Sequence, residues 1–283
     1  MYKRRISIFV ASKLFHFFER FLNLHITPVD YSSPIPNTCK LDDKIFKKVY
    51  DETGLDLNER EQMRYLDHIF PKYFTEYEPS ANEGLTLVDS YILYAMIREK
   101  KPKVMIEVGS GESTKISLKA LEKNEQEGSK CKFFAIEPYP RDFLRRISKE
   151  NFKLIDKELQ YVEIELLKTG DIIFIDSSHV SKIGSDVNYE ILEVVPKLKK
   201  GSIIHWHDIM FPTNYWRDWT YRGNMFWNET YLLHAFMLFN EAYKCIWASR
   251  YMQFYHAENI LKRFPYFLPE KHRCTSFWLE RIR

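Results

Sequence analysis

The sequence predicts an α/β protein on a doubly wound, mostly parallel sheet, and two observations predict it. From residue 103 onward, short apolar runs alternate with helical stretches. That is the pattern of β-α-β units whose right-handed crossovers place helices on both faces of a sheet. Two of those runs, "DIIFID" (171–176) and "GSIIHWHD" (201–208), also end in acids and histidines. Polar strand tips belong at the carboxyl edge of such a sheet, where ligands bind.

The elements follow in chain order. "MYKRRISIFVASKLFHFFERFLNL" opens with basic residues and an apolar run that is too short to span a bilayer, because Lys13, Glu19 and Arg20 interrupt it. Phe9, Val10, Leu14, Phe17, Phe18 and Phe21 fall on one helical face. That face is expected to dock on protein, in this chain or in a second copy. Peripheral membrane contact through residues 1–24 is the alternative. Residues 27–41 carry three prolines and read as loop, and 41–99 read as mostly helical. Residues 1–99 are therefore expected to form a helical extension or cap, and 100–283 the main domain. In that domain "KVMIEV" is a strand and "STKISLKALEKN" a helix, followed by strand "CKFFAIE" and helix "RDFLRRISKEN". "LQYVEIE" and "DIIFID" are expected strands, "VNYEILEVVPKLKK" a helix and "SIIHWH" a strand. "WNETYLLHAFMLFNEAY" reads as a long helix, with "YKCIWASRYM" and "TSFWLERI" as two last strands.

Composition narrows the partners. With 42 basic and 39 acidic residues the net charge is +3, which gives no general argument for a nucleic-acid binder. The four cysteines, Cys39, Cys131, Cys245 and Cys274, are scattered and form no CxxC pair. That argues against a zinc-thiolate site and is simplest in a reduced, cytoplasmic setting.

"VMIEVGSGESTKI" places Glu107, Gly109, Ser110 and Gly111 between the first strand and a helix. Glycines there permit a tight turn and close approach of a ligand to the backbone. The dinucleotide fingerprint GxGxxG is not met, because position 114 is threonine. The acid at 107, one residue, then Gly-x-Gly resembles motif I of class I S-adenosylmethionine-dependent methyltransferases. The resemblance implies that this turn holds the methionine part of S-adenosylmethionine. It also implies that Glu137, at the end of the next strand, binds the ribose hydroxyls. Ser113 stands where many members carry a third glycine. "DIIFIDSSHV", "SIIHWHDI", "YSSPIP" and "WNETYLLHAF" resemble a bacterial small-molecule or glycan subgroup, so the likeness runs from about residue 28 to 255. It implies a Rossmann-like, seven-stranded sheet with a reversed final strand.

The acid–histidine rim suits transfer to a hydroxyl, with Asp176, His179, His207 and Asp208 as candidate catalytic residues and Asp176 also facing the cofactor. Two arrangements stay open. In one, Asp176 and Asp208 hold Mg2+ or another divalent cation that lowers the acceptor's pKa. In the other, His179 or His207 is a general base oriented by the acids. His205 and Trp206 read as interior strand residues. The aromatic stretch 211–229 reads equally as a lid over the acceptor or as a hydrophobic wrap. A nicotinamide oxidoreductase is disfavoured by the poor GxGxxG match and by the lack of a Tyr-x-x-x-Lys pair. A non-enzymatic Rossmann-like binding module is disfavoured by the intact glycines and acids. The expected partner is a small-molecule or glycan acceptor, with a homo-oligomer possible.

Overall fold

The structure is a computed structural model that describes residues 2–80 and 84–283, with the backbone alone for residues 2–8, 12 and 13. Two compact units are present. One takes in the residues up to Lys48 and Tyr215–Phe226; the other takes in Val49–Asn214 and Trp227–Arg283. The second unit therefore holds the predicted main domain without its residues 215–226, together with the second half of the predicted extension.

In the first unit, a helix over Tyr2–Leu22 is followed by chain without regular structure, a short turn at Thr38–Lys40 and a short helix at Asp43–Phe46. The segment 215–226 joins it through local partners. The Tyr221 hydroxyl donates to the Thr38 carbonyl (3.0 Å), and Arg217 Nε donates to Asp43 Oδ1 (2.8 Å). Phe9, Phe17 and Phe21 of that helix are 62%, 53% and 66% exposed. No helix among the described residues is long and apolar enough to cross a membrane.

The second unit holds a seven-stranded sheet in the order β3-β2-β1-β4-β5-β7-β6. The strands are β1 (Val104–Val108), β2 (Lys132–Ile136), β3 (Phe152–Ile155), β4 (Ile172–Ile175), β5 (Ile203–Trp206), β6 (Tyr243–Ala248) and β7 (Phe277–Arg281). All pair in parallel except β7, which runs antiparallel between β5 and β6. That is the reversed final strand expected above. β1 and β4 are almost wholly apolar and buried, as strands covered on both faces must be.

Three expectations need correction. "LQYVEIE" is not a strand: Leu159–Tyr161 is a single tight turn and Ile164–Leu167 a short helix. The third strand is Phe152–Ile155, directly after the predicted helix 141–151, which shrinks to Asp142–Arg145. The helix 187–200 breaks up before Pro196, whose missing N–H and ring oppose a continuous helix. His205 and Trp206 lie inside β5, where His205 Nε2 meets Ser276 Oγ at 3.0 Å and its ring stacks on Phe174 at 4.0 Å.

Candidate active site

The carboxyl tips of β1, β2, β4 and β5 gather the predicted residues. After β1 the chain turns at Gly109, whose φ of 78° lies in the left-handed region. Its N–H donates to the Ile136 carbonyl (3.0 Å), and the Asp176 N–H donates to the Val108 carbonyl (2.9 Å). The turn is thus tied to both flanking strands. Gly111 then caps the helix Glu112–Gln126, and its N–H donates to Thr114 Oγ1 (3.1 Å). No atom lies within 4 Å of where a Gly111 Cβ would stand.

Glu107 turns beneath this loop and is fully buried. Ser113 Oγ donates to its Oε1 (2.5 Å), and among the described residues Oε2 has no partner. Ser113, in the place of the third glycine, thus turns its hydroxyl inward onto Glu107. Burial, only partly offset by hydrogen bonds from Ser113 and Thr114, pushes the Glu107 carboxyl up to about 8. An acid with a raised folded pKa binds its proton more tightly in the native state. Its contribution to stability is full below about pH 4.3 and is lost as pH rises towards 8. Urea titrations of the ligand-free protein should show stability falling across that window. Glu107→Gln should flatten the slope, and an unchanged slope would rule this assignment out.

Two adjoining cavities share Gly109, Glu137, Tyr139 and Asp176. One, of about 420 Å³, runs past Ile136, Leu159 and Ser185. The other, of about 370 Å³, lies over Ser110, Gly111 and Arg141. Glu137 stands between them, and Tyr139 N–H donates to its Oε1 at 2.8 Å. Burial holds its carboxyl above the usual range.

At the neighbouring tips of β4 and β5, His179 is the hub. Its Nε2 lies 3.3 Å from Asp176 Oδ1 and 3.7 Å from Asp208 Oδ2. Its Nδ1 lies 2.9 Å from Glu229 Oε2. Burial opposes a charge on this ring, yet hydrogen bonds to Asp176 and Glu229 and the charges of Glu229 and Asp208 raise its pKa well above the ordinary value. Burial likewise opposes the charge of Asp176, but His179 and His207 hold its carboxyl below the usual range. Two carboxylates this close need a positive neighbour, and an imidazolium at 179 supplies it. His207 stands to one side, 3.7 Å from Asp208 Oδ1, with its Nε2 3.3 Å from Thr275 Oγ1.

The comparisons with known proteins fall on this region. Residues 106–209, from β1 through Asp208, match the sequence family described as a methyltransferase domain. Over those residues the chain carries a methyltransferase domain. The methyltransferase is 30% identical over 162 residues to an uncharacterized protein of Archaeoglobus fulgidus, a match that covers 50% of this chain and 72% of that one. Among solved structures it is similar to an S-adenosylhomocysteine-bound Podospora anserina methyltransferase. That likeness has 14% identity and a TM-score of 0.45, and covers 92% of this chain and 100% of the other. It is similar also to the O-methyltransferase TomG of Streptomyces achromogenes, with 10% identity, a TM-score of 0.44 and all of both chains covered.

The motif resemblance implies S-adenosylmethionine as the cofactor, and the twin cavities fit it by three observations. They provide the volume, Gly111 leaves its side of the turn open, and Glu107 Oε2 is a buried acceptor without a donor. If Glu137 holds the ribose, Glu137→Ala should weaken S-adenosylhomocysteine by at least about 1.5 kcal/mol in titration calorimetry, the scale of a charge-assisted hydrogen bond. Unchanged affinity would remove Glu137 from the site.

Three residues at this rim escaped the sequence reading. Glu229 and Glu190 are buried acids beside His179, and Thr275 Oγ1 donates to Asp208 Oδ1 at 2.9 Å. Only Glu229 had a signal, since "WNET" forms part of the family resemblance.

Proposed function

We propose that this methyltransferase acts on a hydroxyl of a small metabolite or glycan, with His179 as the acceptor-side base. The observation that carries this reading is His179 Nε2 poised between Asp176 and Asp208, where Asp176 also walls both cofactor cavities. The cofactor supplies a methyl on a sulfonium that is already a strong electrophile, so the protein has to orient the acceptor and take its proton. Gly109, Ser110, Gly111, Glu107 and Glu137 hold the cofactor in this scheme, and Asp176 stands at the boundary with the acceptor. Asp176 and Asp208 orient the ring and stabilise the imidazolium that forms when Nε2 accepts the hydroxyl proton. A proton already on Nε2 has to leave first. A second positive charge brought close to Asp176 favours that loss.

A metal-assisted reading has its own support. One ligand atom each from Asp176, His179 and Asp208 lie within 4.8 Å of one another. A divalent cation there would take over the work of the imidazolium and lower the pKa of the acceptor hydroxyl. The experiment is a panel of sugars, phenols and catechols, scored by release of S-adenosylhomocysteine, with and without chelator. Turnover indifferent to chelator is expected. Loss with chelator and recovery with magnesium or manganese would replace the base by the cation, and no methylated hydroxyl across the panel would count against the acceptor class. Cys131, Cys245 and Cys274, buried as thiols, favour a reducing compartment.

A further inference from the structure

We propose that Asp89 and Thr275 are positioning residues for methyl transfer. The buried Asp89 carboxylate fixes the backbone at 275–276, and from there the Thr275 hydroxyl holds Asp208 towards His179. The proposal rests on the reading that Asp208 takes part in the transfer. Asp208 needs an outside hold. It follows β5 on a left-handed turn, with a φ of 56°. Its oxygens stand 3.7 Å from His179 Nε2 and 3.7 Å from His207 Nε2, beyond hydrogen-bond reach. Among the described residues its carboxylate accepts one hydrogen bond, from the Thr275 hydroxyl to Oδ1 (2.9 Å). A hydroxyl has one hydrogen, so the Thr275 oxygen is left as an acceptor towards His207 Nε2, 3.3 Å away. The Thr275 carbonyl also accepts from Ile209 N–H at 3.0 Å. One residue thus grips both the Asp208 side chain and the backbone directly after it.

Thr275 is itself held by a buried acid. Asp89 lies in the first turn of the helix Leu87–Lys100 and is fully shielded from solvent. Its Oδ2 accepts from Thr275 N–H (2.9 Å) and lies 3.0 Å from the Thr86 hydroxyl, which also stands 3.6 Å from Cys274 Sγ. Its Oδ1 accepts from the Ser249 hydroxyl (2.6 Å) and from Ser276 N–H (3.4 Å). A buried carboxyl is costly unless it is hydrogen-bonded, and this one is met from three segments at once. Ser249 ties the arrangement to the end of β6. Its hydroxyl accepts from Trp247 Nε1 (2.7 Å), and its N–H donates to the Ser276 carbonyl (2.8 Å). The entry to β7 is therefore clamped on both sides.

Each oxygen of Asp89 faces one backbone N–H, so an amide cannot replace the carboxylate. Whichever way the new side chain of Asp89→Asn turns, its N–H₂ meets the N–H of Thr275 or that of Ser276. The backbone at 275–276 must then shift. The β-branched Thr275 side chain has few rotamers, so the position of its backbone decides where its hydroxyl points. Thr275→Val keeps the shape and removes the hydroxyl, and Thr275→Ser keeps the hydroxyl.

The test is crystallography of the full chain with S-adenosylhomocysteine, together with kinetics on an acceptor from the panel. In Thr275→Val the Asp208 carboxylate should turn away from His179, and in Thr275→Ser it should stay. In Thr275→Val kcat should fall on the order of 10-fold with the acceptor's KM unchanged, and Thr275→Ser should restore most of it. Asp89→Asn should displace residues 275–276 and lower kcat by a similar factor. Neither change should lower kcat further in the Asp208→Asn background, because residues that act through one another are not additive. The crystal arm needs no acceptor, and an Asp208 carboxylate unmoved in Thr275→Val would overturn the proposal. So would an undiminished loss on top of Asp208→Asn, or a Thr275→Ser variant as impaired as Thr275→Val. An undisturbed backbone at 275–276 in Asp89→Asn would remove Asp89 alone. Thr275→Ala and Asp89→Ala stand in where the first variants do not fold. Full turnover in Asp208→Asn would instead remove the underlying reading, whereas turnover lost there and kept in Thr275→Val removes the positioning residues alone.

Discussion

Gly109→Ala is expected to abolish cofactor binding and to destabilise the protein by more than about 3 kcal/mol, the range of overpacking combined with a strained backbone. A Cβ at this position would stand 1.7 Å from the Asp176 carbonyl oxygen and 2.6 Å from its carbon. Those are backbone atoms at the tip of β4, and they cannot swing aside as a long side chain would. The φ of 78° adds a penalty for any residue with a Cβ. Relief would require the tips of β1 and β4 to part, and with them the N–H bonds to Ile136 and from Asp176. Gly111→Ala is the control. Its Cβ meets nothing within 4 Å and its φ is extended, so the ligand-free fold should tolerate it. The added methyl enters the space kept for the ligand, so affinity for S-adenosylhomocysteine should still fall. Thermal melts and calorimetry on the two variants separate the effects. Wild-type melting and affinity in Gly109→Ala would show that the turn is not built as described.

Much of this was open to inspection in the sequence, for a physical reason. Strands buried on both faces must be apolar along their length, so β1, β2, β4 and β5 stood out, and the residues that end them had to be polar to face a ligand. Edge elements give weaker signals. β3 pairs only with β2 and carries Lys153 on an exposed position, so Phe152–Ile155 gives too weak a signal to be read as a strand. "LQYVEIE" has the alternation of a strand, but Leu159 and Val162 are buried from a tight turn, and Tyr161 between them is 69% exposed. Periodicity reports which side chains are buried and does not say which backbone buries them.

The site divides in the same way. Asp176, His179 and Asp208 lie within or directly after two motif strands, and parallel pairing of β4 with β5 brings them together. Glu229 comes 50 residues after His179, and Glu190 lies inside a helical stretch where its neighbours read as ordinary amphipathic surface. Nothing local marks either acid as buried. The packing of the helix Glu229–Met237 against the loop after β4 brings Glu229 to the histidine. Thr275 is hidden for a similar reason. It reaches Asp208 because the reversed β7 returns beside β5, with Ile209 N–H donating to the Thr275 carbonyl at 3.0 Å.

Asp208→Asn should lower kcat on the true acceptor by roughly 10²- to 10³-fold, the usual cost of removing one preorganised charge from a reacting site, while affinity for S-adenosylhomocysteine changes less than about threefold. The backbone is expected to survive, because Asp208 has a φ of 56° and asparagine is among the few residues that adopt this region readily. The amide oxygen of the new side chain can still accept from Thr275, so the loop stays anchored. What changes is the group facing His179 Nε2, where a carboxylate oxygen 3.7 Å away becomes an amide N–H₂. The imidazolium loses one of its two counter-charges on that side, and a donor now points at the nitrogen that must receive the acceptor's proton. The cofactor cavities are spared, since Asp208 lines neither of them. Selective loss of kcat is therefore the signature of an acid that works through the histidine. A matched loss of cofactor affinity would move Asp208 into the cofactor site. Full turnover in the variant would mean that this rim of acids and histidines holds the sheet tips together and takes no part in the transfer.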